Sequence, residues 1–287
     1  MKHNLKITLL LLSVFFLAQL IGLAIVNSYI DEEKTQETGV ITFEELPLGV
    51  ERPPVREQIS FIYILAAVLI GTMLLFLLMK FKIHLLWKLW YFMAVSISLV
   101  IAFSAFVSVG WAALLGFVIA LWKIVRPNIF VHNISELFIY GGLAAIFVPI
   151  MNVFAGVMLL IFISLYDMYA VWKSKHMIKL AKFQSKSNIF AGFYMPYRLP
   201  KGMRKARKKK VRAAILGGGD IAFPLLFAGT VLKEFGLIFS IIIPVFAAIA
   251  LFFLLFKGKK DTFYPAMPFI SAGCLIGYGV VAILNVF

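Results

Sequence analysis

The sequence contains almost no cysteine and few charged residues. Cys274 is its single cysteine, which excludes a disulfide framework within the chain and a cysteine cluster that would bind a metal ion. Charged residues make up 14% of the 287 residues, compared with roughly 25% in soluble domains, and hydrophobic residues make up 62%. This composition indicates a multi-pass integral membrane protein, located in the cell membrane of a prokaryote or an endomembrane of a eukaryote.

Two common protease signatures are also absent. The four histidines, His3, His84, His132 and His176, lack the H-E-x-x-H spacing of zinc proteases. No G-x-S-x-G motif is present, and Ser271 lies in an apolar run without a histidine to activate it. The sequence therefore predicts neither a metal site nor a bound cofactor.

Long apolar runs account for most of the chain. Divided at charges and turn residues into pieces of about 20 residues, they predict an all-α protein with nine membrane-spanning helices. The expected spans are 6–29, 59–79, 85–107, 109–122, 134–149, 151–172, 213–232, 236–256 and 264–286. The weakest divisions are 108–111 and 149–152. Lys2 and Lys6 before the first run also resemble a signal peptide, but the run is longer than a signal core and lacks a clear cleavage site, so we expect a retained span.

Basic residues concentrate on alternate loops. With the N-terminus inside, the interior segments hold 24 of the 28 lysines and arginines. The opposite side receives only Lys34, Arg52, Arg56 and Lys233, and its segment 31–58 has eight acids against three bases. Because positively charged loops favour the cytoplasm, we predict a cytoplasmic N-terminus and an extracytoplasmic C-terminus.

The spans and the charges divide the chain into three parts. Residues 1–172 form an N-terminal half with six spans, 173–212 a basic cytoplasmic loop, and 213–287 a C-terminal half with three spans. The loop has fourteen bases and no acid. Each base near the membrane surface contributes about 1 kcal/mol of attraction to anionic lipids. We therefore expect this loop to contact anionic headgroups, and nucleic acid is not needed as a partner.

Two acidic residues lie deep in apolar runs. Asp167 precedes Lys173 by six residues, and Asp220 follows Arg212 by eight, on consecutive antiparallel spans. At 1.5 Å per residue they lie roughly 9 and 12 Å from the interior ends of their spans. A carboxylate at this depth is costly and indicates a functional site. The sequence predicts a similar depth for both, although the loop between the spans does not force them to be neighbours.

The residues around Asp220 disfavour a regular helix. Gly217, Gly218 and Gly219 are poor helix formers, and Pro224 cannot donate to the carbonyl of Asp220. Irregular backbone in a membrane is tolerated where it meets protein or water, so we predict water access at this point. The alternative is that the glycines pack between helices while the carboxylate bonds a neighbour. Before the last span, the two prolines of segment 265–268 predict a short extended stretch.

Three short motifs occur in order along the chain: Tyr166-Asp167, Gly217-Gly218-Gly219-Asp220 and Pro265-Ala266-Met267. They resemble the YD, GxGD and PAL motifs of the presenilin and signal peptide peptidase family of intramembrane aspartyl proteases. The resemblance covers essentially the whole chain. Met267 replaces the leucine of the family motif, a change that packing usually tolerates.

The resemblance implies hydrolysis of peptide bonds within transmembrane segments of membrane proteins or signal peptides. Asp167 and Asp220 would share one proton, the ionised carboxylate activating water and the protonated one bonding the scissile carbonyl. Tyr166, Gly217–Gly219 and Pro265–Met267 would shape the site, where an unwound substrate would pair in strand fashion. The implied partners are transmembrane helical peptides, and a homo-oligomer is left open.

A proton-coupled or cation transporter or channel is the alternative function. Paired intramembrane acids and broken helices also build ion pathways. No inverted repeat is evident between the halves, and the three motifs favour the protease. A further acid, Glu136, lies three residues after Asn133 and is interpreted as a helix-start carboxylate that caps backbone amides.

Overall fold

The computed structural model describes residues 5–81, 83–173, 190–197, 213–258 and 264–286. Most of these residues are helical, and the helices of 16 residues or more are numbered here in chain order. They are α1 (Leu5–Ser28), α2 (Ser60–Lys80), α3 (His84–Ser104), α4 (Val109–Val125), α5 (Ile129–Phe147), α6 (Val153–Met168), α7 (Gly218–Phe235), α8 (Ile242–Lys257) and α9 (Met267–Leu284). Shorter pieces include a helix at Glu32–Thr38 and a π-helical turn at Tyr169–Lys173, which directly follows α6.

Seven helices in the described part of the chain are long and apolar enough to cross a membrane. Two more are borderline. Helix α4 has 17 residues, and α7 contains three charged residues, Asp220, Lys233 and Glu234. The mostly helical membrane fold is thus confirmed, whereas the count of nine spans and the orientation of the termini stay predictions.

The division at 149–152 is a real break between helices. Pro149 lies in a 3-10 turn, Val148–Ile150, that ends α5. Asn152 then caps α6, because its side-chain oxygen accepts a hydrogen bond from the amide of Ala155 at 2.8 Å. The division at 108–111 is also confirmed, since Ser108 has extended backbone angles and α4 begins at Val109.

The described residues include a two-stranded antiparallel sheet, which the all-α prediction missed. Strand β1 (Gly192–Pro196) pairs with β2 (Ala213–Gly217), with Gly192 opposite Gly217. The predicted span 213–232 is therefore wrong at its start, because its first five residues are strand. Strand β1 lies within the predicted basic loop, and thirteen of that loop's fourteen bases lie outside the described residues, so its lipid contact stays a prediction.

Helix α1 lies in the middle of the bundle and packs against α5, α7 and α8. Phe15 and Gln19 of α1 have no solvent exposure. Glycines allow close helix crossings here: a β-carbon added to Gly22 would come within 2.3 Å of the side chain of Leu225. Around this centre, α3 packs on α4 and α5, and α8 packs on α9.

The crossing of α3 and α5 generates a stability prediction. A β-carbon on Gly142 would lie 1.9 Å from the carbonyl oxygen of Ser98, a backbone atom that cannot turn aside. Gly142→Ala should therefore separate the two helices and lower the stability by about 1–3 kcal/mol. Thermal unfolding in detergent would show this as a lower midpoint. In the matched control Gly279→Ala, the new β-carbon meets nothing within 4 Å. An equal midpoint for the two variants would contradict the prediction.

Candidate active site

The three sequence motifs lie at one end of a group of three helices. Helix α6 packs against α7 and α9, and α7 packs against α9. A β-carbon on Gly156, near the start of α6, would approach Phe227 of α7 within 2.9 Å, so these two helices are close antiparallel neighbours. The end of α6, the start of α7 and the start of α9 therefore meet on the same side. The adjacency that the sequence left open is present in the fold.

Asp167 is joined directly to the third motif. Its side chain is buried, and Oδ2 accepts a hydrogen bond from the amide of Met267 at 3.1 Å. Met267 is the first residue of α9, and the first amides of a helix have no partner inside it. The positive end of the helix also favours a negative charge. Asp167 thus fills two roles, because it caps α9 and is held in place by it.

A second contact between α6 and α9 lies one turn away. The hydroxyls of Ser164 and Ser271 are 2.9 Å apart and both are buried. Ser271 also donates to the carbonyl of Leu160 at 3.4 Å. Ser271, which the sequence offered as a poor nucleophile candidate, therefore fixes the spacing of the two helices beside Asp167.

The segment before α9 is less extended than predicted. Ala266 has helical backbone angles, φ −86° and ψ −32°, and serves as the N-cap of α9. Pro268 lies in the first helical turn, where its missing amide costs nothing. Pro265 is buried next to this cap. The expectation of an extended stretch was wrong at Ala266, because the backbone already turns there to aim the amide of Met267 at Asp167.

Asp220 lies in the first turn of α7, not two turns inside a helix as the predicted span implied. Gly217 is the N-cap of α7, and the carboxylate of Asp220 leans back over it: a β-carbon on Gly217 would lie 3.2 Å from Oδ2. A β-carbon on Gly218 would lie 2.9 Å from the hydroxyl of Tyr140, and one on Gly219 would lie 3.3 Å from the ring of Phe223. Because Gly217 and Gly218 have no side chains, the carboxylate of Asp220 and the ring of Tyr140 can lie close to the backbone at these positions.

Helix α7 continues through Pro224 without a break. The side chain of Gln19, from α1, donates to the carbonyl of Ile221 at 2.8 Å, one residue after Asp220. This bond attaches the first turn of α7 to the centre of the bundle. Gln19 was not identified from the sequence, where it is one polar residue in a long apolar run.

Sequence reasoning also misread Glu136. Helix α5 begins at Ile129 with Asn128 as its cap, so Glu136 lies two turns inside the helix and does not cap its start. Its Oε1 pairs with Nζ of Lys123 at 2.5 Å, and both side chains are almost fully buried. The spacing held a usable signal, because His132, Asn133, Glu136 and Tyr140 follow the i, i+1, i+4, i+8 pattern of one helix face. With Lys123 of α4, these residues form what is named here the α4–α5 polar cluster.

The α4–α5 polar cluster binds the backbone of β1. Oε2 of Glu136 accepts from the hydroxyl of Tyr140 and from the amide of Gly192, the latter at 3.0 Å. A nitrogen of the His132 ring lies 2.8 Å from the carbonyl oxygen of Gly192. The side-chain nitrogen of Asn133 donates to the backbone carbonyl of Tyr194 at 2.9 Å, and its side-chain oxygen accepts from the backbone amide of Tyr194 at 3.0 Å.

These contacts place β1 against α5, so β2 forms the other edge of the two-stranded sheet. Gly192 and Tyr194 direct their backbone groups to α5, so the groups of their partners Gly217 and Ile215 point away from β1 on the other edge. Ile215 is 46% exposed. The outer edge of β2 leads straight into the turn that holds Asp220.

Tyr166 is partly buried beside Asp167. Its part in the site stays a prediction, as do the catalytic roles of the two aspartates. Among the described residues, no group of three or more His, Cys, Asp and Glu side chains could hold a metal ion.

Comparison with known proteins places the chain among aspartyl proteases of membranes. The model of the family described as signal-peptide peptidase, presenilin aspartyl protease matches residues 38–286. Two crystal forms, C222 and P2, of a presenilin family intramembrane aspartate protease are similar in fold, with TM-scores of 0.63 and 0.62 and 17% sequence identity. The first comparison covers 96% of this chain and 99% of the other, the second 98% and 97%. Comparison with curated proteins by sequence gives no match.

The sheet provides a test of the site geometry. Gly192 has φ +132°, and a β-carbon there would lie 2.1 Å from the carbonyl oxygen of Leu216. Gly192→Ala should break the pairing of β1 and β2 and speed amide hydrogen exchange in 213–217 at least tenfold. Gly39→Ala is the control, because Gly39 also has a positive φ but its added β-carbon meets nothing within 4 Å. Unchanged exchange in Gly192→Ala would disprove the role of this contact.

Proposed function

Because the chain belongs to the signal-peptide peptidase and presenilin family of aspartyl proteases, we propose that it cuts peptide bonds inside membrane-spanning segments, with Asp167 and Asp220 as the catalytic pair. The protein is a multi-pass integral membrane protein. The observation that supports the pair is the shared end of α6, α7 and α9, where Asp167 is fixed to α9 and Asp220 lies in the first turn of α7. Its substrates are transmembrane segments of membrane proteins, including signal peptides.

The chemistry requires the two carboxylates to share one proton, because two like charges at close range do not both ionise easily. The ionised carboxylate takes a proton from water as the oxygen of that water attacks the scissile carbonyl. The protonated carboxylate donates a hydrogen bond to the carbonyl oxygen, which becomes a hydroxyl in the tetrahedral intermediate. Proton transfer to the amide nitrogen then releases the amine and the acid.

A substrate helix must unwind before it is cut, since a helix hides its carbonyls in its own hydrogen bonds. The outer edge of β2 offers the amide and carbonyl of Ile215 and the amide of Gly217, which point away from β1, whereas the carbonyl of Gly217 bonds within α7. An unwound segment that adds to this edge would satisfy its backbone in the membrane, where unpaired amides are costly. Only two residues separate Gly217 from Asp220, so the added strand would be placed beside the carboxylates.

We also propose that all nine numbered helices cross the membrane, with a cytoplasmic N-terminus. Lys123 of α4 is neutralised by Glu136 inside the bundle. The charges of α7 lie in its first and last turns, which leaves an apolar middle. The excess of lysine and arginine on alternate loops supports the orientation. No comparison supports the alternative of a transporter or channel.

The catalytic pair has a direct test in purified protein mixed with a membrane-spanning peptide. Asp167→Asn and Asp220→Asn keep the shape of the side chains but remove the charge, and each should lower cleavage at least 10³-fold, because neither remaining carboxylate can act alone. Mass spectrometry of the products should place the parental cuts inside the span, and transition-state-analogue inhibitors of aspartyl proteases should block them. Asp31→Asn, in the loop after α1, should cleave at the parental rate. Cleavage that persists in both site variants would exclude the proposed pair.

Substrate pairing with β2 has its own test. Ile215→Pro removes an amide that points away from β1, so the sheet should remain while a substrate loses a hydrogen bond. We expect kcat/KM to fall about tenfold, chiefly through a higher KM. Ile215→Val keeps the amide and should behave like the parent. Equal kinetics for the proline variant would place the substrate strand elsewhere.

A further inference from the structure

The ion pair of Lys123 and Glu136 is an unusual feature for a membrane bundle. The two side chains are 3% and 2% exposed. Charges inside membrane helices are costly and mark functional positions. Both groups have further partners, because Lys123 also donates to the hydroxyl of Ser135 at 2.8 Å and Glu136 accepts from Tyr140 and Gly192.

Stability alone is a weak explanation for this pair. The desolvation of two buried charges offsets most of their attraction, and apolar replacements of similar volume are often neutral or stabilising. What the charges do accomplish is orientation. The carboxylate of Glu136 is held by Lys123 on one oxygen, which leaves the other oxygen to receive the amide of Gly192.

The remaining contacts of the α4–α5 polar cluster fix the register of β1 along α5. Asn133 bonds both the amide and the carbonyl of Tyr194, as a neighbouring strand would. His132 and Glu136 bond the two backbone groups of Gly192, two residues earlier. All three side chains lie on one face of α5, so β1 cannot slide along α5 without losing every one of these bonds. A slip by one residue would also turn its side chains to the opposite face.

The α4–α5 polar cluster is connected to Asp220 through strand pairing and two side-chain and backbone contacts. Gly192 lies opposite Gly217, the last residue of β2 and the N-cap of α7. The amide of Gly218 donates to the carbonyl of Ala191 at 3.1 Å. Tyr140, which donates to Glu136, lies directly behind Gly218. The position of β1 on α5 therefore fixes the first turn of α7.

We propose that the α4–α5 polar cluster is a register anchor: it fixes β1 on α5, and through β2 it sets which peptide bond of a transmembrane substrate is presented to the aspartates. The inference rests on the proposed protease function. Lys123, Asn133 and Glu136 are positioning residues, because they act through the sheet and contact none of the reacting groups. Weakening the anchor should spread the cuts over neighbouring bonds.

The first experiment uses the double variant Lys123→Met with Glu136→Leu, which removes both charges together and leaves no lone buried ion. Its unfolding midpoint should fall only modestly, because the two charges are removed together while Tyr140 and Gly192 lose their acceptor. With a membrane-spanning peptide, kcat/KM should fall about tenfold, and mass spectrometry should find cuts at bonds that the parent leaves intact. The affinity for a small transition-state-analogue inhibitor should change less than kcat/KM for the peptide, because Gln19 still attaches the first turn of α7 to α1 and the inhibitor does not depend on the substrate strand. A folded double variant with the parental rate and cut positions would overturn the proposal.

A second variant decides the question if the double variant does not fold. Asn133→Ala removes both bonds to Tyr194 and leaves the ion pair intact. Its cuts should also spread, and amide exchange in 190–197 should quicken without substrate. The matched control is Asn128→Ala, on the same helix, where the side chain only caps the amide of Phe130. Parental cuts and parental exchange in Asn133→Ala would overturn the anchor.

The outcomes separate this inference from the proposed function. If the parent cuts the peptide and Asp220→Asn does not, the protease stands whatever the anchor variants do. If the parent cuts nothing, the protease assignment fails, while the exchange measurement still reports whether the cluster holds β1.

Discussion

Backbone amides and carbonyls that leave a helix inside a membrane need a protein partner, because lipid offers none. In this protein, side chains from neighbouring helices supply these partners at the helix ends and along the sheet. At the start of α9, the carboxylate of Asp167 accepts the first amide. Along β1, side chains of α5 take the place of a third strand. The site therefore forms where regular helices end and side chains complete the hydrogen bonding.

At the opposite end of the bundle, basic side chains donate to backbone carbonyls that have no partner within a helix. Pro149 cannot donate to the carbonyl of Ala145, and Nε of Arg52 fills that place at 3.3 Å. Lys233, at the end of α7, donates to the carbonyls of Pro149 and Met151 at 3.2 and 3.3 Å. These bonds fix where α6 begins. Helix α6 has 16 residues and Asp167 lies near its end, so these bonds also help to set the position of Asp167 along the bundle axis.

Much of this arrangement could be predicted from the sequence, since apolar length and charge placement directly reflect the membrane. The limits of most helices belong to this part, whereas the meeting of the three motifs was expected only from the family resemblance. The sheet could not, because an apolar stretch such as 213–217 reads equally as the start of a helix or as a strand. Its true state depends on partners in α5, far away in sequence. Lys123 shows the same limit: it counts as a topological charge in the sequence, yet its role is a buried pair with Glu136.

The bond between Asp167 and α9 has a stereochemical consequence for ligands. Oδ2 of Asp167 accepts the amide of Met267, and the amide of Ala266 also lies against this carboxylate, so the start of α9 occupies one side of the group. A tetrahedral mimic would therefore approach Asp167 from the side away from α9. Such one-sided access discriminates between the two mirror-image configurations of a hydroxyl-bearing carbon. Inhibitors of opposite handedness at that centre should accordingly differ in potency, although they are equal in size and polarity.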